Sequence, residues 1–353
     1  MTENASPLFL PSPDFTCLQP YCRYIAGVRP FRCGTYRLEP EIIGDKFVVH
    51  NYGHGGAGIS MSWGCADAVA QIVRTYATPG QGRPIAVLGG GVMGLTAATL
   101  LSPDYKVTIY ADRLTATTSD IAGGQWAPSV VEYDEGNSAA KKRFEDILRT
   151  AYRMHEQRIG KGFGVSKRIN YTKTESKTFQ KVPKELIPKP TRFKPLPFEH
   201  MASDGWGYRT LLVEPPIFLP RLRNDLAKQG VQSVPKLFHN VAQLADLPET
   251  IVINCTGLGS QTLFADNHMM PIKGQLVLLP AQPRLTWLFS NRSTYVFPRE
   301  DHVVVGGSYE KNTNDEVADP KICGNILQMA KDVFAGRALA KEFRNAPWLL
   351  PSK

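Results

Sequence analysis

The feature that most constrains the fold of this chain is a strand, a glycine turn and a helix in immediate succession. Residues 84–88 form a short apolar run, residues 89–94 read Gly-Gly-Gly-Val-Met-Gly, and residues 95–101 have the composition of a helix. Residues 106–110 then predict a second strand. This order predicts a βαβ unit of a doubly wound parallel sheet.

The glycines of this unit have the spacing of a dinucleotide-binding turn. Gly89, Gly91 and Gly94 occupy the GxGxxG positions, which allow a tight turn, close approach of a pyrophosphate and packing of the helix on the strand. The helix N-terminus then faces the phosphates. Asp112 follows the second strand and suits a ribose hydroxyl. The unit therefore predicts dinucleotide binding.

A second strand, glycine loop and helix precede the first unit. Residues 47–52 predict a strand, residues 53–58 are rich in glycine, and residues 60–74 place apolar side chains at helical spacing. Residues 77–84 are a Gly/Pro linker between the two units. The chain thus offers two helix N-termini to one cofactor.

Downstream of these units the pattern changes from parallel to antiparallel strands. Residues 249–259 predict a third buried strand that ends in a glycine turn, and residues 271–279, 293–297 and 302–307 predict antiparallel strands. Helices are expected at three further places: residues 138–158, 216–229 and roughly 320–345.

Composition places the chain among globular proteins without a membrane span. It is 42% hydrophobic and 21% charged, and its apolar runs are strand-sized. Residues 1–15 lack the features of a secretory signal. The six cysteines have no metal-ligand spacing, and a disulfide framework is not expected in a chain of this size. We therefore expect a cytoplasmic protein without a metal site.

The net charge of +9 is concentrated in residues 161–194, which hold ten Lys or Arg residues against two acids. Prolines interrupt this segment, so a solvated surface loop is expected. Docking of an acidic partner or substrate stays open as an alternative. No nucleic-acid motif accompanies the charge, and no nucleic-acid partner is expected.

Four separated segments together resemble the D-amino-acid oxidase and D-aspartate oxidase family. They are residues 87–94, residues 110–126, residues 253–259, and residues 27–30 taken with the HNYGHGGAG loop at 50–58. In that family the βαβ unit opens the chain, whereas the GxRP strand and the HNYGHGG loop close it. Here the order is reversed, which implies a circular permutation joined by residues 77–84.

The resemblance implies a Rossmann-like FAD-binding domain with a mainly parallel sheet and a substrate domain built on an antiparallel sheet. Residues 44–134 and 209–268 would form the FAD-binding domain. Residues 1–43, 135–208 and 269–353 would form the substrate-binding domain.

The implied activity is oxidation of a D-amino acid, with hydride passing from Cα to flavin N5 and dioxygen as electron acceptor. The products would be an imine, hydrolysed to a 2-oxo acid and ammonia, and hydrogen peroxide. Other readings stay open: an oxidase of an unusual amine or amino acid in a biosynthetic pathway, or an FAD-binding scaffold without catalysis. An NAD-linked dehydrogenase fits the Ala-Asp-Arg sequence at 111–113 less well. No membrane partner is expected, and a homo-oligomer is left open.

The resemblance also assigns site residues. Arg29 matches the carboxylate-binding arginine, Tyr295 the tyrosine that supports it, and Gly56 the glycine whose carbonyl receives the substrate amine. The residues expected around FAD are Gly55, Gly58, Ile59, Ser60, Gly89, Gly91, Val92, Met93, Gly94, Asp112, Arg113, Thr118, Ser119, Gly123, Gly124, Gln125 and Val241.

Three departures from the family bear on the substrate. The lid before the Tyr-Val-Phe strand is shortened to residues 289–293, and Asn291 stands where many members have a second tyrosine. Tyr309 replaces the arginine that holds the distal carboxylate in D-aspartate oxidases. We therefore expect a neutral or basic substrate, unless Arg292 takes over that role.

His54, among the glycines of the HNYGHGGAG loop, is expected to brace that loop.

Overall fold

The computed structural model describes residues 9–80, 82–292, 294–340, 343 and 346–349. Fifteen strands are present among these residues: β1 (Arg23–Arg32), β2 (Arg37–Ile43), β3 (Lys46–Tyr52), β4 (Pro84–Leu88), β5 (Lys106–Ala111), β6 (Val165–Thr172), β7 (Thr191–Phe193), β8 (Gly205–Val213), β9 (Gln232–Pro235), β10 (Ile251–Asn254), β11 (Met269–Pro280), β12 (Leu288–Asn291), β13 (Thr294–Pro298), β14 (His302–Gly306) and β15 (Glu310–Lys311).

Eight α-helices accompany these strands in the described part of the chain: α1 (Gly58–Tyr76), α2 (Val92–Leu101), α3 (Thr118–Ile121), α4 (Ser138–Glu156), α5 (Lys177–Gln180), α6 (Pro215–Lys228), α7 (Ser260–Leu263) and α8 (Pro320–Phe334). Two short 3-10 helices cover Val241–Leu244 and Gly257–Gly259. No helix in these ranges is long and apolar enough to span a membrane.

The smaller sheet has the strand order β2-β3-β10-β4-β5-β9. All neighbouring strands in it are parallel except β2, which is antiparallel to β3. Its central strands are buried on both faces. Val49, Val87 and Ile253 belong to the core that includes α1, α2 and α4, and the neighbouring Val48 and Val252 belong to a separate cluster on the other face. This explains the unbroken apolar runs in the sequence.

The larger sheet has the order β1-β11-β14-β13-β12-β6-β8-β7, with β15 also paired to β11. Its strand pairs are antiparallel except β12 with β6. Val277 and Val305 pack with α8 on one face, whereas Leu276 and Val304 lie in a cluster on the other. The predicted α/β fold, with a parallel and an antiparallel sheet, is confirmed. The division into two domains stays a prediction; β2, whose residues were assigned to the substrate part, lies in the smaller sheet.

Three local expectations were wrong. Residues 161–194 are not one surface loop, because they contain β6, α5 and β7, and β6 buries Val165 and Tyr171 while Lys167 is exposed. The last helix ends at Phe334, since Gly336 (φ 68°) adopts the left-handed conformation that terminates helices. Cys17 and Cys22 form a disulfide, because a turn brings their Cα atoms to 5.1 Å.

Asp266 links the two sheets through a buried carboxylate. It accepts hydrogen bonds from Arg32 Nε (2.7 Å) at the end of β1 and from the Tyr52 hydroxyl (2.6 Å) at the end of β3. Burial opposes ionisation, but Arg32 and Tyr52 outweigh it and lower the pKa of Asp266 to about 2.

Replacing Asp266 by Asn should therefore lower the free energy of unfolding by about 2 kcal/mol at pH 7. Because the pKa of Asp266 is lower in the folded than in the unfolded protein, the ionised carboxylate stabilises the fold fully above about pH 3.8. This stabilisation is lost as the pH falls toward 2. The difference between wild type and Asp266→Asn, measured by urea unfolding, should shrink below pH 4. A difference that is constant from pH 7 to pH 3 would contradict this origin.

Candidate active site

The glycine turn between β4 and α2 can be built only without side chains. Gly89 has a φ of 119°, and a Cβ added to it would collide with the Cys255 carbonyl oxygen at the end of β10. A Cβ on Gly94 would collide with the Gly89 carbonyl oxygen. The turn therefore lies directly on the carboxyl ends of β4 and β10, with the N-terminus of α2 behind it.

The loop between β3 and α1 approaches the glycine turn between β4 and α2. The Gly55 amide donates to the Pro30 carbonyl (2.9 Å), and the Gly56 amide donates to the Val130 carbonyl (3.1 Å). A Cβ on Gly58, the first residue of α1, would lie only 3.6 Å from Val92 Cγ1, at the first residue of α2. The two helix N-termini are thus neighbours, and their positive ends favour negative charge at one site.

A cavity of about 1480 Å³ connects these turns with the larger sheet. All but three of the residues predicted for the site line it. The exceptions are Gly94, which packs inside the turn, Ser60, whose hydroxyl bonds to the Ala127 backbone (3.0 Å), and Val241, which begins a 3-10 helix away from the lining.

The hydroxyl-rich loop at residues 117–126 forms the wall beside the α2 N-terminus. Ser119 Oγ accepts a hydrogen bond from the Val92 amide (3.0 Å), and the Thr118 hydroxyl donates to the Val28 carbonyl (3.1 Å). Asp120 pairs with Arg223 on α6 (3.0 Å) and bonds to Thr117. The loop is therefore held to three different elements around the cavity.

Arg29 and Tyr295 are neighbours at the end of the cavity formed by the larger sheet. Arg29 lies on β1 opposite Ile272 of β11. Its guanidinium donates to the carbonyls of Ser308 (3.3 Å) and Lys273 (3.4 Å) and covers Gly274, where any Cβ would collide with it. Glycine at 274 thus leaves room for the guanidinium beside the strand.

Tyr295 lies on β13, with its ring stacked on Phe297 (4.7 Å between centroids). A Cβ on Gly307 would lie 2.6 Å from the hydroxyl oxygen of Tyr295. Burial raises the pKa of Tyr295, although the charge of Arg29 and its hydrogen bond act in the opposite direction. The hydroxyl therefore stays protonated at neutral pH and can donate a hydrogen bond beside the guanidinium.

His54 is a bracing residue in the structure. Its ring is buried, stacks on Tyr36 (5.2 Å) and lies 3.4 Å from Cys65 Sγ. Burial lowers the pKa of His54 to about 3. A neutral imidazole fixed in this way holds the glycine loop against α1.

Some lining residues were not predicted from the sequence. Phe238 lies near the end of β9, and Glu316 lies in the segment before α8. Thr174 and Phe179 follow β6 and also line the cavity. Strand pairing of β9 with β5 carries Phe238 to the cavity, and no local motif signals that pairing.

An ion pair lies in the wall of the cavity near Asp112. Arg113 Nη1, after β5, lies 2.8 Å from Glu316 Oε2, and the segment that carries Glu316 is held to β11 by Lys273 with Asp315 (2.5 Å). Both members of the Arg113–Glu316 pair are partly exposed. Such a pair contributes little to stability, and both of its members line the cavity.

Because Arg113 and Glu316 both line the cavity, the Glu316→Gln variant should release the FAD expected from the sequence about two- to fivefold faster, the range for a partly exposed ion pair. The difference should shrink at high salt because exposed charges are screened. Flavin fluorescence after dilution measures the rate. Glu185→Gln, which removes a surface pair with Arg149 (2.6 Å) outside the lining, serves as control. Equal release rates in all three proteins would exclude a role for the pair.

The residues of the cavity fit FAD. The glycine turn at residues 89–91 presents its backbone to the cavity, two helix N-termini are available to phosphates, and the Asp112 carboxylate follows β5. The cavity continues from there to Gly123 and Gly124, where a Cβ would meet Phe297 (2.9 Å) and the Val213 carbonyl (2.5 Å). It thus reaches from a nucleotide-type turn to the Arg29 guanidinium without interruption.

Comparison with known proteins agrees with this geometry. The family described as "DAO: FAD dependent oxidoreductase" matches residues 84–348. D-aspartate oxidase from Homo sapiens is 29% identical over 243 residues, which are 64% of this chain and 69% of that protein. D-amino acid oxidase from Dugesia ryukyuensis is 29% identical over 272 residues, 71% of this chain and 78% of that protein.

Solved structures with the same fold include glycine oxidase from Bacillus cereus, with a TM-score of 0.52 and 17% identity over 71% of this chain and 77% of that one. Iminodiacetate oxidase from Chelativorans has a TM-score of 0.50 and 15% identity over 71% and 79% of the two chains. At this identity the likeness shows the fold alone.

Proposed function

We propose that this chain, which belongs to the DAO family of FAD dependent oxidoreductases, oxidises the α-carbon of a D-amino acid with dioxygen as acceptor. FAD is the cofactor of the family, and it supplies the hydride acceptor when bound. The two relatives described above are D-amino-acid and D-aspartate oxidases by name. Their names support the D-configuration of the substrate.

The observation that carries the proposal is the position of Arg29. Its guanidinium lies in the same cavity as the two glycine turns and has a tyrosine hydroxyl beside it. A planar guanidinium binds a carboxylate through two parallel charge-assisted hydrogen bonds. Arg29 and Tyr295 would therefore hold the α-carboxylate and fix the orientation of Cα.

The remaining catalytic contribution is positioning. The Gly56 carbonyl would accept a hydrogen bond from the substrate amine, on the side of the cavity formed by the α1 loop. With carboxylate and amine both held, one face of Cα is presented to the cofactor. Orientation of this kind lowers the activation free energy substantially. A substrate that enters with a neutral amine needs no general base.

The overall reaction balances without further reagents. The substrate loses a hydride from Cα and a proton from nitrogen, which leaves an imine that water hydrolyses to a 2-oxo acid and ammonia. Dioxygen takes up the two electrons and two protons and becomes hydrogen peroxide. These products are the ones to be measured.

We also propose that the chain is a circular permutation of the family order. The family match begins at residue 84, the first residue of β4, although β1 and β3 complete the two sheets. In such a permutation the chain would be opened between α8 and β1, and Phe15, which precedes β1, packs on Phe334 of α8 (5.6 Å between ring centroids). A permutation is tolerated where termini lie close together at the surface.

Oxygen consumption and peroxide release test the proposed function. The FAD-loaded protein should consume oxygen with D-amino acids, release one peroxide per oxygen, and give no turnover with the L-enantiomers. Turnover of L-amino acids at equal rates would reject the D-configuration. A protein that binds FAD but consumes no oxygen with any amino acid or amine would reject the proposed activity.

A further inference from the structure

Residues 129–130 pack directly on the glycine loop between β3 and α1. The Val130 carbonyl accepts a hydrogen bond from the Gly56 amide (3.1 Å), and a Cβ on Gly55 would collide with this carbonyl oxygen. A Cβ on Gly56 would lie 2.9 Å from the Ser129 carbonyl oxygen and 3.4 Å from Ser129 Oγ. The Ser129 hydroxyl is therefore a close neighbour of Gly56, whose carbonyl is proposed to receive the substrate amine.

The backbone of Val130 is unfavourable for a β-branched residue. Its φ of 54° lies in the left-handed region, which residues with a branched Cβ rarely adopt. Such strain persists only where the surrounding contacts impose it, and it clusters at ligand-binding and active sites. Val130 lines the cavity. Its conformation thus points to a function for this stretch of the cavity wall.

The Ser129 hydroxyl has no hydrogen-bond partner among the residues that the structure describes, although Ser129 is partly buried and lines the cavity. By contrast, Thr118 and Ser119 elsewhere in the lining use their hydroxyls in hydrogen bonds of 3.1 and 3.0 Å to the backbone. A serine hydroxyl offers two lone pairs and one proton. At Ser129 all of these are available to a ligand.

The Gly56 carbonyl is also unengaged. The next amide in the chain, that of Ala57, donates to the His54 carbonyl (2.9 Å), and no group in the described part of the chain donates to the Gly56 carbonyl oxygen. Two acceptors can share one amine nitrogen when their oxygens lie within about 6 Å of each other, twice the length of an N–H···O hydrogen bond. Because Ser129 Oγ and the Gly56 carbonyl belong to residues in contact, they are placed to act as such a pair.

We propose that Ser129 is a second amine-binding residue, whose hydroxyl oxygen accepts one N–H of the substrate amine while the Gly56 carbonyl accepts the other. The preferred substrates are then α-amino acids with a primary amine. This inference rests on the proposed function, in which Arg29 holds the α-carboxylate and Gly56 receives the amine.

Two acceptors would fix the direction of the nitrogen lone pair. The lone pair becomes the second bond of the C=N group as the hydride leaves Cα, and it must lie parallel to the breaking C–H bond for this to occur. A single acceptor leaves the amine free to rotate about the Cα–N bond. With both N–H groups held, the direction of the lone pair is set before the reaction begins.

The test compares D-alanine, or the D-amino acid that reduces the flavin fastest, with its N-methyl derivative, whose neutral amine has one N–H instead of two. Wild type should show a kcat/KM about tenfold or more higher for the primary amine. Ser129→Ala should lower kcat/KM for the primary amine about 3- to 10-fold, the range for loss of one hydrogen bond. It should change kcat/KM for the N-methyl derivative less than about twofold.

Ser129→Thr is the matched control because it keeps the hydroxyl, and its kcat/KM for the primary amine should lie within about twofold of wild type. Since the hydroxyl has no partner among the described residues, Ser129→Ala should keep the melting temperature and the FAD content of wild type. An equal loss of activity toward both substrates, together with a lowered melting temperature, would show a structural role and overturn the inference. An unchanged preference for the primary amine in Ser129→Ala would overturn it as well.

Binding of ligands without a transferable hydride gives a readout that does not depend on turnover. Benzoate and 2-aminobenzoate share a carboxylate and differ by one primary amine. Titrated against the absorbance of bound flavin, 2-aminobenzoate should bind wild type about tenfold or more tightly than benzoate, and this ratio should fall about 3- to 10-fold in Ser129→Ala. Equal Kd values in wild type, or a ratio that Ser129→Ala preserves, would contradict the proposed amine contact.

The two proposals fail in distinguishable ways. If wild type oxidises D-amino acids and Ser129→Ala changes neither the rate nor the preference for a primary amine, the role of Ser129 is wrong and the proposed function stands. If wild type oxidises no D-amino acid but binds 2-aminobenzoate more tightly than benzoate through Ser129, the proposed function is wrong and the amine site stands.

Discussion

Arg29→Ala should retain FAD and lose most of its activity toward amino acids. Removing one partner of a charge pair in a desolvated site costs about 2–5 kcal/mol, which corresponds to roughly 30- to 5,000-fold in kcat/KM. The guanidinium bonds to the carbonyls of Lys273 and Ser308 and to the Tyr295 hydroxyl. None of these groups belongs to the glycine turns, so its removal leaves those turns in place. Steady-state kinetics and the flavin absorbance of the purified variant measure both effects.

The control for this prediction is Arg29→Lys. It keeps a positive charge but not the planar fork, so its kcat/KM should lie between wild type and Arg29→Ala. Wild-type kcat/KM in Arg29→Ala would mean that the substrate carboxylate binds elsewhere. Loss of FAD from Arg29→Ala would mean that the residue supports the cofactor instead.

Gly89→Ala should yield a protein with little bound flavin. The φ of 119° is unfavourable for alanine, and the added Cβ would collide with the Cys255 carbonyl oxygen. A residue forced into such a conformation costs about 1–3 kcal/mol, so the turn should shift and weaken FAD binding by about 10- to 100-fold. The ratio of flavin to protein absorbance and a fluorescence titration with FAD measure the change.

Gly324→Ala is the matched control, because nothing lies within 4 Å of a Cβ at this position of α8. It should bind FAD like wild type and be slightly more stable, as expected for alanine within a helix. If Gly89→Ala bound FAD with wild-type affinity and kept its circular dichroism spectrum, the turn would not be the pyrophosphate site.

The sequence predicted the structure best for elements whose local residue pattern is also required by their tertiary contacts. The strand, glycine turn and helix at residues 84–101 form β4 and α2 as predicted, because a tight turn at a sheet edge has few alternatives to glycine. The strands around Tyr295 and the helix after Gly58 were likewise predicted nearly to their ends. These elements position the predicted site.

The missed features depend on contacts between distant segments. Phe238 and Glu316 reach the cavity through strand pairing and loop packing, which no local pattern encodes. The basic segment was misinterpreted because Lys167 and Arg168 lie on the same strand, β6, as the buried Val165 and Tyr171.

The most direct measurement is anaerobic addition of D- and L-amino acids to the FAD-loaded protein. Arg29, Tyr295 and the two glycine turns line one cavity. A D-amino acid held there should therefore reduce the flavin and bleach its visible absorbance. The L-enantiomers should leave the spectrum oxidised. Flavin that stays oxidised with every D-amino acid tested would contradict the account.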